Sequence, residues 1–106
     1  MKLRRDVFQA IADPTRRVIL GLVAIQAMTP GAIAENFNFS RQTISKHIQI
    51  LFDCNLLEQS QRGREIYYRI NPNKLKEVAE WLEPYQKLWV DRMDAIHDLL
   101  TEIQSK

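Results

Sequence analysis

Two residues, Asn38 and Phe39, are all that separate one helical stretch from the next. Thr29 before Pro30 is a helix start, a hydroxyl N-cap with proline at the first helical position. Ile33, Ala34 and Phe37 then share a face, which predicts a helix over residues 30–37. Asn38 tolerates the left-handed conformation that ends helices and is the expected stop. Ser40 is the next N-cap, and Phe39 before it can staple onto Ile44. Ile44, Ile48, Leu51 and Leu56 carry helical spacing through residues 40–56. Helices joined this tightly cannot lie antiparallel and flush. They must cross at an angle, as in a helix-turn-helix.

The second helix of the pair has an unusual polar face. Arg41, Gln42, Thr43, Ser45, Lys46, His47 and Gln49 lie off its apolar stripe, and none is acidic. Such side chains donate to phosphates and base edges. A half-polar helix is also the rule on any solvated surface, so the neighbouring segments have to decide.

Before the pair, Leu3, Val7, Phe8, Ile11 and Ala12 predict a short helix over residues 3–12. Asp13 and Pro14 then start a second helix, with Val18, Ile19, Leu22 and Val23 as its apolar face. Arg16 and Arg17 in its first turns suit an external anion, or else pair with Asp13 or Asp6. Gly31 and Ala32 are small enough to admit another helix or a DNA backbone. After Leu56 the period changes to two. Residues 57–61 and 65–70 read as strands around Arg62-Gly63-Arg64. A hairpin with arginines at its tip, directly after a reading helix, is a wing, and such arginines can enter a minor groove. The rival reading is a solvated turn.

Asn71-Pro72 opens a further helix, which Pro84 should kink or break at Glu83. From Tyr85 the residues Trp89, Met93, Ile96, Leu100 and Ile103 form an a/d seam. A seam on a terminal helix needs a partner, and a symmetric dimer built from N- and C-terminal helices fits best. The reading is mainly α with a small β-hairpin: one winged helix-turn-helix domain over residues 1–106. Its DNA-binding core is about 13–70, and its dimerisation helices are about 1–12 and 72–104.

The charge pattern agrees. Residues 1–70 hold 10 Lys and Arg against 6 Asp and Glu, and residues 71–106 hold 5 against 7, so only the front half suits a polyanion. A core from 106 residues is modest, which favours burial by dimerisation. No apolar run is long enough for membrane insertion, and MKLRRDVFQ lacks a signal-peptide core, so a cytoplasmic protein is expected. No catalytic pair is legible. Ser45 and His47 are two apart on divergent faces, and there is no glycine-rich phosphate loop, so no enzyme is expected.

The segments VFQAIADPTRRVIL (7–20), MTPGAIAENFNFSRQTISKHIQIL (28–51), GREIYYRI (63–70) and WLEPYQKLW (81–89) resemble the ArsR/SmtB family of winged-helix repressors, in its autorepressor branch. The resemblance implies a homodimeric repressor on an inverted repeat of double-stranded DNA. It puts DNA contacts on Arg41, Gln42, Thr43, Ser45, Lys46 and His47, and on Arg62 and Arg64 of the wing. Gln42 carries the amide that pairs bidentately with adenine, and Arg41 can reach guanine or phosphate. For His47 a packing or hydrogen-bonding role within the domain is an equal alternative. The autorepressor branch further suggests a membrane anti-repressor as partner. The rival functions are a ligand- or metal-responsive derepressor of the same family and a winged-helix protein-interaction module.

Many members sense metals, through a cysteine pair before the reading helix or through Asp, His, His and Glu on the terminal helix. Here AIAENFNFS has neither Cys nor His, and the terminal helix offers Asp94, His97, Asp98 and Glu102, with its second His missing. No metal site and no cofactor are expected. Cys54 is the single cysteine, which excludes an internal disulfide and reads as a small buried residue rather than a redox sensor.

Overall fold

The computed structural model describes residues 6–105. The N-terminal part of the helix expected over 3–12 therefore lies outside the described residues. Its remainder is α1, Val7–Ile11, capped by Asp6 accepting from the Gln9 amide at 2.9 Å. α2, Pro14–Ile25, starts where the Asp-Pro pair dictates, with the Asp13 carboxylate accepting from the Arg16 amide at 3.0 Å. Its inner face is Ile19, Leu20 and Val23. Val18, expected inside, is exposed, because the buried stripe is centred about one position further round the helix.

α3 spans Pro30–Ala34, with the Thr29 hydroxyl accepting from the Ala32 amide at 3.2 Å. It ends three residues before the expected 37. Asn36 is the reason. Its side-chain amide donates to the carbonyls of Ala32 (3.0 Å) and Ile33 (3.3 Å), taking up acceptors that a further turn would need. Asn38 is not left-handed, so the expected stop is corrected: among the described residues the non-glycine with positive φ is Asn55, at 63°.

α4, Arg41–Asp53, begins at Ser40, whose hydroxyl accepts from the Thr43 amide at 3.1 Å. Ile44, Ile48 and Leu51 are buried. Phe39 is more than half exposed and stacks on Phe37, with ring centroids 6.1 Å apart. The far end also corrects the sequence reading, which ran to Leu56. Cys54 is the C-cap, Asn55 turns left-handed, and the amides of Asn55 and Leu56 return to the carbonyls of Phe52 and Leu51, each at 3.0 Å. That is a Schellman close, with Leu51 and Leu56 buried together beneath it. Cys54 is buried at 4% exposure, in keeping with its role as a small core residue.

Leu56 drops the chain into the hairpin. β1, Leu57–Arg62, pairs antiparallel with β2, Glu65–Ile70, in a register from Leu57 opposite Ile70 to Arg62 opposite Glu65. Only Gly63 and Arg64 turn. Gly63 has φ 65°, as the first position of a tight two-residue hairpin requires. Met28 adds one bridge to Tyr68, with amides exchanged at 2.9 and 2.8 Å. Tyr68 is buried, sits edge-on to Phe52, and its hydroxyl accepts from Gln59 at 2.9 Å.

At the base of the hairpin Asn71 does not cap the next helix. Its backbone amide donates to Leu56 (2.8 Å) and its side chain to the Asn55 carbonyl (2.9 Å). Pro72–Leu75 is accordingly a single 3-10 turn. α5 then runs unbroken over Lys76–Gln104, with Pro84 inside it, so the expected break at Glu83 is not made. Proline removes one helical N–H, and the chain on either side carries the helix through.

Contacts divide the chain into two units, one up to Lys76 and one from Glu77 onward. The first contains the whole core, which joins α1, α2, α3 and α4 to the hairpin through side chains such as Val7, Ile19, Ile33, Ile44, Leu51 and Leu57. The second is α5, whose seam residues Tyr85, Trp89, Met93, Ile96, Leu100 and Ile103 are all more than half exposed.

Candidate nucleic-acid interface

The anchoring of α4 decides what its other face can do. Ile44, Ile48 and Leu51 recur at four and three residues and fix one side of the helix to the body. Arg41, Gln42, Thr43, Ser45, Lys46 and Gln49 are all exposed in consequence. Gln42 and Lys46 are one turn apart, so their side chains project side by side. The acid-free run ends at Asp53, which accepts from Gln49 at 2.8 Å. Not every polar group on this face is available. The Thr43 hydroxyl lies 2.9 Å from that of Ser40, so it already serves the helix start.

Arg41 reaches sideways. A Cβ placed on Gly31 would stand 3.4 Å from Arg41 Nη2, an ordinary contact, so the guanidinium lies beside the small residue noted in the sequence. Arg41 lines an open groove with Thr29, Gly31, Ala32 and Glu35 of the preceding segment and with Arg64, Glu65 and Ile66 of the hairpin. The fold thus brings Arg41 and Arg64, 23 residues apart, onto one groove.

The wing arginines are not equivalent, which corrects the expectation of two arginines at a three-residue tip. Arg64 is in the turn. Arg62 closes β1 opposite Glu65, with its guanidinium carbon 4.8 Å above the Tyr67 ring, a cation–π contact that holds it to the strand. The Tyr67 hydroxyl in turn donates to Glu65 at 3.1 Å, and that bond and the carboxylate charge raise its pKa.

His47 stands apart from its neighbours in the motif. Its Nδ1 is 3.2 Å from Arg16 Nη1 and 4.0 Å from the Asp13 carboxylate, and its side chain is 19% exposed. The ring is therefore engaged within the domain, the alternative the sequence left open. Burial raises the Asp13 pKa, but the Arg16 amide bond and the charges of His47 and Arg16 outweigh it and hold the carboxyl below 3.8.

Arg16 is half-buried and Arg17 exposed, and both guanidiniums turn to the backbone of α1. Arg16 donates to the carbonyls of Ala10 (2.6 Å) and Gln9 (3.1 Å), and Arg17 to that of Ile11 (2.8 Å). They cover the C-terminal end of α1, where the Gln9 carbonyl also accepts from the Ala12 amide at 3.3 Å. The sequence shows two arginines after a proline; it does not show which way the preceding helix folds back.

As for metals, the described residues contain no group of three or more His, Cys, Asp or Glu close enough to hold an ion. Nor is any described helix long and apolar enough to cross a membrane.

Known proteins share this arrangement. A family profile described as a helix-turn-helix domain matches residues 11–60. The transcriptional repressor SdpR of Bacillus subtilis (strain 168) is 43% identical over 77 residues, covering 73% of this chain and 86% of that protein. Among solved structures, an ArsR-like transcriptional regulator from Rhodococcus sp. RHA1 superposes with a TM-score of 0.67 at 35% identity over 88% of each chain. A homodimeric winged helix-turn-helix DNA-binding domain from Mycobacterium bovis superposes with a TM-score of 0.58 at 29% identity, covering 80% of this chain and 76% of that one.

Proposed function

Because the chain belongs to the ArsR/SmtB family of winged-helix transcriptional repressors, we propose that it acts as a homodimer on an inverted-repeat operator, in the manner of an autorepressor. The observation that carries this reading is the exposed, acid-free face of α4, held outward by three buried residues. On this reading two α4 helices, one per protomer, enter successive major grooves about 34–36 Å apart. Gln42, Ser45 and Lys46 meet base edges. Arg41 and Arg64, sharing a groove, grip one stretch of backbone, while Thr43 keeps the helix start in shape. Arg62 stiffens the wing, and His47 has only Nε2 left to offer DNA. The core over about 13–70 reads, and helices at about 1–12 and 72–104 join the protomers. Repression follows from occupying a promoter.

We propose too that the protein works without the family's metal site. The donor set does not fit one: residues 32–40, before the reading helix, hold neither Cys nor His, and α5 has His97 as its one imidazole. Relief of repression then falls to another partner. The membrane anti-repressor suggested by the autorepressor branch is the form to test, by co-sedimentation with membrane vesicles of the host.

The central test is a mobility-shift titration on the gene's own upstream duplex. Gln42→Ala should flatten the preference between the operator and point variants of it, a loss of about 1–3 kcal/mol of discrimination. Arg64→Ala should weaken all duplexes alike and lower the salt slope by about one. Unchanged binding by both variants would rule out this docking, and no duplex binding by wild type in either zinc-bearing or chelated buffer would leave the protein-interaction reading in its place.

A further inference from the structure

We propose that Arg16 is a positioning residue that yokes α1 to the reading helix through His47, so that one guanidinium sets the alignment of an interface helix and the side chain beside the DNA-reading face. The proposal rests on the DNA-reading role given to α4 above.

The geometry that carries it is a three-way bond. Arg16 Nε donates to the Ala10 carbonyl, Nη2 to the Gln9 carbonyl, and Nη1 lies 3.2 Å from His47 Nδ1. The guanidinium is planar and its nitrogens have their proton directions fixed, so its three contacts cannot rotate independently. Two go to the end of α1 and one to α4, and the side chain itself rises from the first turn of α2. α1 has five residues, too few to hold a helix unaided. Its direction is set by what it is tied to.

Val7 and Ala10 pack α1 onto the body, both fully buried, but the packing is incomplete at the joint with α4. A cavity of about 70 Å³ lies there, lined by Gln9, Ala10, Arg16, Ile50 and Cys54. Where apolar contact is incomplete, the hydrogen bonds carry the register. Asp13 completes the set, accepting from the Arg16 amide and facing His47 Nδ1 at 4.0 Å.

The bond also fixes the chemistry of His47. A guanidinium has donors and no acceptor. When the ring is neutral, His47 Nδ1 accepts from Arg16, which places its single proton on Nε2. The ring is held in one tautomer and can present only an N–H to a phosphate or base. Arg16 thus acts on DNA without touching it.

Two measurements test this. The first needs no DNA: nitrogen-15 imidazole shifts at pH about 8, where an ordinary histidine is neutral, with amide exchange through α1. Wild type should show the Nε2–H tautomer. Arg16→Ala should mix the tautomers and speed exchange at Ala10 and Ala12 by about tenfold. The second is operator titration over a range of salt. Arg16→Ala should weaken operator binding by about tenfold with an unchanged salt slope, and Arg16→Lys should fail to rescue it, since an ammonium cannot make the planar fork. His47→Leu should cost a similar factor, and the double variant little more than either alone. An Nδ1–H tautomer in wild type overturns the proposal. So does a salt slope lowered by about one in Arg16→Ala, which would make Arg16 a phosphate contact. If Arg16→Ala melts outright, His47→Leu and the wild-type tautomer still decide. If the tautomer and exchange results hold but wild type binds no duplex, the yoke stands and the DNA reading of α4 falls.

Discussion

Asp13 shows how much one carboxylate does in a chain of this size. It caps α2, faces His47, and is held more acidic than an ordinary aspartate. The folded state therefore releases its proton more readily than the unfolded chain. Stability from this group is complete above about pH 3.8 and is lost as pH falls through the lower, folded value. Asp13→Ala should cost about 1 kcal/mol at neutral pH, the usual worth of such a cap. Asp13→Asn keeps an acceptor but has no charge, so urea unfolding across the acid range should show a shallower decline for it than for wild type. The cap itself was legible, because an Asp before a proline depends only on local geometry. Its partner His47 was not, for that contact spans 34 residues and depends on how α2 and α4 cross. The same holds for Arg16 and Arg17, whose carbonyl acceptors belong to a helix that had first to be folded back.

At the scale of elements, three helix starts that rest on a side-chain cap were readable, at Asp13, Thr29 and Ser40, while the Asp6 cap of α1 was not, because the apolar spacing ran through it. The ends were not. Asn36 and Asn55 finish α3 and α4 in different ways, one with its side chain and the other with its backbone. Neither is distinguished from Asn38 by composition alone. Asn55 gives a direct test: Asn55→Gly should keep or slightly raise stability, while Asn55→Val should lose about 1–2 kcal/mol, the cost of a β-branched residue in the left-handed region. Thermal unfolding of both variants measures it. A Val variant as stable as wild type would mean that the Schellman close does not hold α4 to the hairpin. Pro84 is the opposite case, a local signal that the helix overrides. The wing arginines lie between these extremes, since a register shorter by one residue puts Arg62 on Tyr67 and leaves the turn to Arg64.

For the whole molecule, the open question is what covers α5. Six large seam residues in water on one helix are costly, and a second copy of the chain offers the matching stripe. Ile96→Asp places a charge at the middle of that stripe. It should turn a dimer into a monomer in sedimentation and weaken operator binding by more than tenfold, because one reading helix then binds without its twin. The body up to Lys76 should keep its fold, which near-ultraviolet signals from Tyr68 report. Retained dimers in Ile96→Asp would place the interface elsewhere. The seam has a further consequence for the cell. If repression requires two chains to meet, promoter occupancy at low protein levels grows with the square of their number rather than in proportion. An autorepressor built this way leaves its own gene open while copies are scarce and shuts it abruptly once they are common. Halving the protein concentration would then lower occupancy nearly fourfold while occupancy is low, and the exposed stripe on α5 would be the feature that counts molecules.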